Sequence, residues 1–202
     1  LDRACADVQK WRQEGMKNVR VSINFSSVQV EHDDFIEDVL SALHKYDLPG
    51  SVLEAEITEN VIMNDMSSAI RKLRELATHD IKVAIDDFGT GYSSLSYLQQ
   101  FPINTLKIDK SFVSSINESE EATSIVDAIV AMAKGLKLNL IAEGVETDPQ
   151  LEYLKNLGCE SIQGYLFGKA EGVDRTTEIL NCAEQGDLLR NLTAVPKNTD
   201  KQ

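Results

Sequence analysis

The chain has 202 residues, of which 42% are hydrophobic, and it carries a net charge of −13. This length and composition fit one globular domain with a sizeable core. The negative charge argues against a broad surface for DNA, RNA or acidic membranes, because phosphates would be repelled, although a bound metal would still allow a small phosphorylated ligand. The three cysteines lie far apart, which predicts reduced thiols and a cytoplasmic location. No apolar run approaches the roughly 20 residues that span a bilayer, so no membrane segment is expected.

Short apolar runs alternate with amphipathic helical patterns along the chain. The predicted strands are, in order, 19–25, 53–58, 82–88, 105–109, 138–144 and 161–167. After a helical pattern in the first residues, the predicted helices are 34–46, 66–79, 93–101, 121–136 and 149–158. Strands that alternate with helices predict a parallel sheet covered by helices. We expect residues 1–185 to form this domain and residues 186–202 to be a disordered polar tail.

Polar side chains mark the C-terminal ends of the six predicted strands. They are Asn24, Glu56, Asp86, Asp87, Lys107, Asp109, Glu143 and Gln163. In an open doubly wound sheet the outer strands would hold these groups too far apart to cooperate. In a (β/α)8 barrel they converge on one mouth, where such folds keep their chemistry. The pattern therefore favours an α/β barrel, although six of the usual eight strands are visible.

The adjacent acids Asp86 and Asp87 follow an apolar strand, where like charges repel unless cations neutralise them. Clustered carboxylate and amide oxygens suit Mg²⁺ or Mn²⁺, and no Cys/His spacing recommends zinc. Adjacent acids can hold two metal ions, an arrangement that suits phosphoester hydrolysis. Glu143 would then act as a ligand or base, and Lys107 would orient a nucleophilic water and stabilise charge.

Other interpretations of these residues stay open. Single acids at strand ends are more often caps or surface charges than ligands, and Asp109 could simply pair with Lys107. Glu54 has the strand parity of Glu56 but lies nearer the start of the strand, which favours a structural role. An aldolase-like or enolase-like barrel that uses Lys107 is a rival enzyme class, which the paired acids disfavour.

Two glycines, Gly89 and Gly91, follow the paired acids and predict a sharp loop that leads into a helix capped by Ser93 or Ser94. A flexible loop at a barrel mouth is a candidate lid. An ordinary tight turn between strand and helix is the alternative.

Six segments together resemble the EAL-domain family of cyclic di-GMP phosphodiesterases: SINFS, AEITEN, AIDDFGTGYSSLSYL, LKIDKSFV, IAEGVET and QGYLFGK. The resemblance runs in order, with family-like spacing, from about Leu1 to Lys169. It implies a modified (β/α)8 barrel and Mg²⁺- or Mn²⁺-dependent hydrolysis of cyclic di-GMP to linear pGpG. It also implies a homodimer, and sensory or GGDEF domains in the parent protein.

The resemblance implies roles for individual residues as well. The metal ligands would be Asn24, Glu56, Asp86, Asp87 and Glu143. The residues around the attacking water would be Lys107 and Glu143. The glycine-rich lid would include Phe88, Gly89 and Gly91, and Glu59 resembles the acid that anchors it. The residues near the substrate would be Asp109, Glu146 and Gln163.

The chain departs from the family pattern at both ends of the resemblance. The Glu-Ala-Leu motif, with its metal-binding glutamate and a nearby phosphate-binding arginine, is not among these 202 residues, and neither are the first two barrel strands. FGKA replaces the more usual F-S-K-P after the last strand. We therefore expect weak metal binding and hydrolysis that is slow or absent. The unpaired sheet edges further predict aggregation, strand exchange with another copy, or a remodelled core. The alternative is a catalytically inactive domain that acts as a cyclic di-GMP receptor or protein-interaction module.

Overall fold

The structure is a computed structural model that describes residues 1–90, 98, 100–116, 118 and 120–184. Within those residues, six strands form one sheet: β1 Val21–Phe25, β2 Leu53–Thr58, β3 Lys82–Phe88, β4 Thr105–Ile108, β5 Asn139–Ala142 and β6 Ser161–Ile162. Every neighbouring pair is parallel, and the spatial order of the strands is their order in the sequence. All six strands therefore end at the same edge of the sheet.

Helices occupy segments before, between and after the strands. The α-helices described are α1 Asp2–Gln13, α2 Ser27–Glu31, α3 Phe35–Lys45, α4 Glu59–Asn64, α5 Met66–Thr78, α6 Lys110–Ser114, α7 Glu120–Gly135, α8 Asp148–Asn156 and α9 Val173–Glu184, with a 3-10 turn at Gly50–Val52. Local signals fix several of these boundaries. Thr147 and Gln150, for example, form a reciprocal capping box at the start of α8, with Pro149 in its first turn.

The strands in the middle of the sheet are buried on both faces. Leu53, Ala55 and Ile57 of β2 are almost fully inaccessible to solvent and belong to the hydrophobic core. Leu73 and Leu76 of α5 belong to the same core and are likewise inaccessible. Because side chains alternate along a strand, the even-numbered residues of β2 point to the opposite face of the sheet. Apolar packing against helices on one face thus leaves the other face free to carry polar groups.

The predicted parallel α/β architecture is confirmed, and β2 and β3 have the predicted bounds. In the described part of the chain β1 and β6 are the edges of the sheet, which is open between them. Ser22 and Asn24 of β1 are consequently exposed.

The prediction for the last strand was wrong in its extent. β6 ends at Ile162, five residues earlier than expected, because the chain then turns and packs against the end of β5 and the segment that follows it. Gln163 N donates to Ala142 O at 2.8 Å, and Val145 N donates to Gln163 O at 3.1 Å. A Cβ atom on Gly164 would lie 2.1 Å from Val145 O, so glycine is required at this close approach. β5 also ends two residues before its predicted end, and α9 is not anticipated by the sequence analysis.

Several predictions fall wholly or mainly on residues that the structure does not describe. They are Gly91, the caps Ser93 and Ser94, most of the helix 93–101 and the tail 186–202. The three cysteines are free thiols, as expected, and Cys5 and Cys159 are buried. In the described ranges, none of the helices combines the length and apolar character needed to cross a membrane.

Candidate active site

A lysine surrounded by three carboxyl groups lies at the edge where the strands end. Lys107 Nζ is 2.7 Å from Glu56 Oε2, 2.7 Å from Glu143 Oε1 and 3.2 Å from Asp86 Oδ1. These residues come from β2, β3, β4 and the turn after β5, so four successive strands contribute to one cluster. Four of the eight side chains predicted to converge are thus in ion-pair contact here.

Lys107 is only 3% exposed, so water screens its interactions with the carboxyl groups weakly and the charge of each group affects the others. Burial alone would lower the pKa of its ammonium group, but hydrogen bonds to Glu143 and Glu56 outweigh that effect and raise the pKa above its ordinary value. For Glu143, burial raises the pKa of the carboxyl group, and the nearby Asp86 and Glu56 add to the increase while Lys107 opposes it. The lysine thus stays charged and serves as the shared partner of the acids.

Asp86 and Asp87 reach the same side of the sheet although successive strand residues normally face opposite sides. The β3–β4 pairing shifts register between Ile85 and Phe88, and Asp87 has a positive φ of 54°. Asp87 N donates to Asp86 Oδ1 at 3.0 Å, which fixes the turn between the two acids. A local irregularity of this kind re-aims a side chain at the end of a strand.

Asp87 lies close to two acids of this cluster. One oxygen each from Asp86, Asp87 and Glu143 lies within 4.8 Å of the others. Burial raises the pKa of Asp87, and the neighbouring Asp86 and Asp109 raise it further. An acidic group of this composition could hold a metal ion, which would relieve the repulsion between the acids.

Asn24 lies opposite Glu56 in the register between β1 and β2. It shares a face with Ser22, two residues earlier, whose hydroxyl donates to Glu54 Oε2 at 3.2 Å. Asn24 therefore faces the same side of the sheet as Glu56, at the exposed margin of the cluster.

The loop after β3 is tied to Glu59 at the start of α4. Gly89 N donates to Glu59 Oε2 at 3.3 Å, whereas Glu59 Oε1 is buried and has no hydrogen-bond partner among the described residues. Gly89 has a φ of 98°, and a Cβ atom there would lie 2.9 Å from the Phe112 ring. Phe88 is buried and pairs with Ile108 of β4. The predicted contact between Glu59 and the glycine-rich loop is thus present at Gly89.

Asp109 caps the start of α6 and does not pair with Lys107. Its carboxylate accepts hydrogen bonds from Ser111 N, at 2.9 Å, and from the Ser111 hydroxyl. Burial works against its charge, but the bonds from Ser111 outweigh this effect and lower the pKa of Asp109. The proposed ion pair between Asp109 and Lys107 is therefore not the arrangement seen.

The two remaining predicted residues lie outside the central cluster. Glu146 is exposed, and its backbone N–H donates to Gln150 Oε1 at 2.9 Å at the start of α8. Gln163 is exposed just after β6. Within the described ranges, no side-chain hydrogen bond or ion pair joins either residue to Lys107 or its acids.

A second polar contact lies below the cluster; the sequence predicted a structural role for Glu54 but did not reveal its partner. Thr105 Oγ1 donates to Glu54 Oε1 at 2.7 Å, and both residues are buried. The period of two along β2 and β4 placed these residues on the same faces as Glu56 and Lys107. The alternation of side chains along each strand was the available signal, but it could not show that Glu54 and Thr105 contact each other.

The EAL domain family model matches residues 1–170 of the chain. The chain belongs to the EAL domain family. Among curated relatives, this EAL domain is 40% identical over 169 residues to the bifunctional diguanylate cyclase/cyclic di-GMP phosphodiesterase MucR of Pseudomonas aeruginosa. The match covers 84% of this chain and 25% of that protein, so the chain spans about a quarter of the length of this relative.

Solved structures of EAL proteins have the same fold. The MucR phosphodiesterase in complex with c-di-GMP matches with a TM-score of 0.84 and 38% identity, over 87% of this chain and 71% of that chain. The EAL domain of Mycobacterium smegmatis DcpA matches with a TM-score of 0.84 and 39% identity, over 90% and 82% of the two chains. The family and the barrel-type α/β fold class predicted from the sequence are confirmed.

Proposed function

We propose that this EAL domain is a metal-dependent phosphodiesterase that hydrolyses cyclic di-GMP to linear pGpG. The observation that carries the proposal is the cluster at the strand ends, where the Lys107 ammonium contacts three carboxyl groups. The MucR relative supports the choice of substrate, because it is named a cyclic di-GMP phosphodiesterase and its phosphodiesterase was solved in complex with c-di-GMP.

The donor set fits Mg²⁺ or Mn²⁺. Asp86, Asp87 and Glu143 offer carboxylate oxygens close to one another, and Glu56 and Asn24 are the further ligands we propose. Hard oxygen donors of this kind suit these cations, and adjacent acids suit a pair of them. When bound, the cations would neutralise the carboxylates and lower the pKa of a water molecule.

The residues of the chain then have separate tasks in hydrolysis. The oxygen of water forms a bond to phosphorus, the bond from phosphorus to the ribose O3′ breaks, and a proton passes to that leaving oxygen. We propose Glu143 as the acceptor of a proton from the water, and burial, which raises the pKa of its carboxyl group, supports this role. Lys107 is held charged at the same point and would stabilise the negative charge that develops on the phosphate.

The wider setting of the domain is part of the same proposal. The name of the MucR relative joins a diguanylate cyclase to a phosphodiesterase, which supports further signalling domains in the parent protein. We also propose a cytoplasmic location, consistent with the free cysteines, and a homodimer, which sedimentation at several protein concentrations would test.

The direct test is to incubate the chain with cyclic di-GMP and Mn²⁺ or Mg²⁺ and to follow pGpG by chromatography. We expect pGpG to form, chelation with EDTA to stop it, and Asp86→Asn to abolish it. Glu178→Gln is a matched control, because this carboxylate pairs with Arg175 on the exposed surface of α9. If calorimetry shows binding of cyclic di-GMP but no pGpG forms, the domain is a receptor for cyclic di-GMP and not a phosphodiesterase. If the chain neither binds cyclic di-GMP nor forms pGpG, the proposal is overturned.

A further inference from the structure

Two side-chain contacts cross from β2 to β4 over β3, one above the other. The upper contact joins Glu56 to Lys107 and the lower one joins Glu54 to Thr105, each at 2.7 Å. Both pairs are separated by 51 residues in the sequence, so the lower contact repeats the upper one two residues earlier on each strand. The repeat follows from the period of two along the strands.

The strand between them makes the lower crossing possible. Its inward residue at this level is Ala84, which pairs with Thr105 in the register and is fully buried. A methyl group leaves room for the Glu54 side chain to pass, whereas Asp86 at the next inward position of β3 contacts Lys107. Ser22 of β1 adds a weaker contact to Glu54 from the other side, at 3.2 Å.

We propose that Glu54 is a positioning residue that sets the placement of Lys107 among its acids. Glu54 and Thr105 are 7% and 2% exposed, so water cannot replace their hydrogen bond without opening the sheet. The bond fixes β4 against β2 one layer below the point where Lys107 meets Glu56. The importance of this placement for catalysis rests on the proposed function, but the placement itself does not.

A lysine-labelling experiment tests the placement without metal or nucleotide. Lys107 and Lys72 are both buried, at 3% and 5% exposed, but Lys72 lies on α5 and bonds to backbone carbonyls. The folded chain is acetylated briefly, and the modification of each lysine is measured by mass spectrometry. Because Lys72 lies outside the site, an increase in its acetylation reports a general loosening of the fold. An increase confined to Lys107 reports loosening of the site.

Thr105→Val keeps the shape of the side chain and removes the hydroxyl group. We expect labelling of Lys107 to rise about tenfold relative to Lys72, as the loss of one buried hydrogen bond implies. Thr105→Ser restores the donor and is expected to return labelling to the wild-type level. Thr78→Val is the matched control, because this hydroxyl bonds to Glu75 O within α5. If Thr105→Val does not fold, Ser22→Ala removes the weaker, exposed contact and is expected to give a smaller rise confined to Lys107.

Equal rises at both lysines, or no rise at either, would overturn the positioning role. Calorimetric titration with Mn²⁺ is a separate measurement, in which Thr105→Val is expected to bind more weakly than wild type. A wild-type chain that binds neither Mn²⁺ nor cyclic di-GMP would overturn the proposed function, while the labelling result would still decide the role of Glu54.

Discussion

Among the residues that the structure describes, the two buried lysines have very different surroundings. Lys72 donates to the backbone carbonyls of Val30, Glu31 and His32 at 2.8–3.0 Å, where α2 ends. Lys107 contacts three side-chain carboxyl groups instead. Carbonyl dipoles satisfy one ammonium group and complete a helix end, which is a structural arrangement. One ammonium group cannot neutralise three carboxylates, so the Lys107 cluster has an excess of negative charge that additional cations can compensate.

Lys107→Met should have the largest effect on stability, because it leaves the buried acids without a counter-charge. We expect the free energy of unfolding to fall by about 3–5 kcal/mol at neutral pH. Mn²⁺ should restore part of the loss by binding the acids in the folded chain. Urea unfolding with and without Mn²⁺ measures both effects. An unchanged midpoint in the presence of Mn²⁺ would mean that the acids do not form a metal site.

Lys72→Met should cost about 1–3 kcal/mol, because the carbonyls at the end of α2 lose a buried donor. The same urea titration should show no recovery with Mn²⁺, since no carboxylate is left unpaired by this change. Recovery equal to that of Lys107→Met would remove the distinction between the two lysines.

Gly144→Ala tests the backbone beside Glu143. Gly144 has a φ of 69°, and a Cβ atom there would lie 2.5 Å from Lys110 Cβ. We expect a loss of about 1–2 kcal/mol in thermal unfolding, together with slower hydrolysis, because Glu143 must shift relative to Lys107. Gly135→Ala is the matched control, since nothing lies within 4 Å of the added atom and its stability should be unchanged or slightly higher. Similar losses in both variants would count against strain at Gly144.

Lys45→Met should have the smallest effect, because this third lysine bonds Asp2 on the exposed surface. Its hydrogen bond lowers the pKa of Asp2 below 3.8. The stabilisation is thus present above pH 3.8 and lost as the pH falls through the lowered value of the folded chain. The pKa of Lys45 is raised above 10.5, so the contribution is also lost at very high pH. Urea midpoints across this range measure the change, and a loss as large as that of Lys72→Met would contradict it.

The convergence of the site was predictable because it depends on strand direction alone. Parallel strands end at one edge, so polar residues on the same face at the ends of neighbouring strands lie close together there, whereas Gln163 after the edge strand β6 stays apart. The bounds of β2 and β3 followed from apolar runs with clear ends. The sequence alone therefore predicts that Glu56, Asp86, Lys107 and Glu143 lie together.

The misplaced details depend on contacts between distant segments. The early end of β6 follows from the approach of Gly164 to the Val145 backbone, which no local pattern records. Asp86 and Asp87 face the same side of the sheet because the pairing of β3 with β4 shifts register at this point. Asp109 was ambiguous because a short polar residue after a strand can either cap a helix or pair with a lysine. Its neighbour Ser111, two residues on, was the signal that favoured the cap.

β4 carries Lys107 between Leu106 and Ile108, and both of these neighbours are fully buried in the core. If the pairing of β4 slipped by one residue, its two faces would be exchanged. Leu106 and Ile108 would then lie among the acids, and the Lys107 ammonium group would lie in the hydrophobic core. This register would be unfavourable on both faces of the strand, because a charge would be buried without a partner and apolar side chains would be placed among charged groups. The burial of Leu106 and Ile108 thus favours the register that brings Lys107 to the acids.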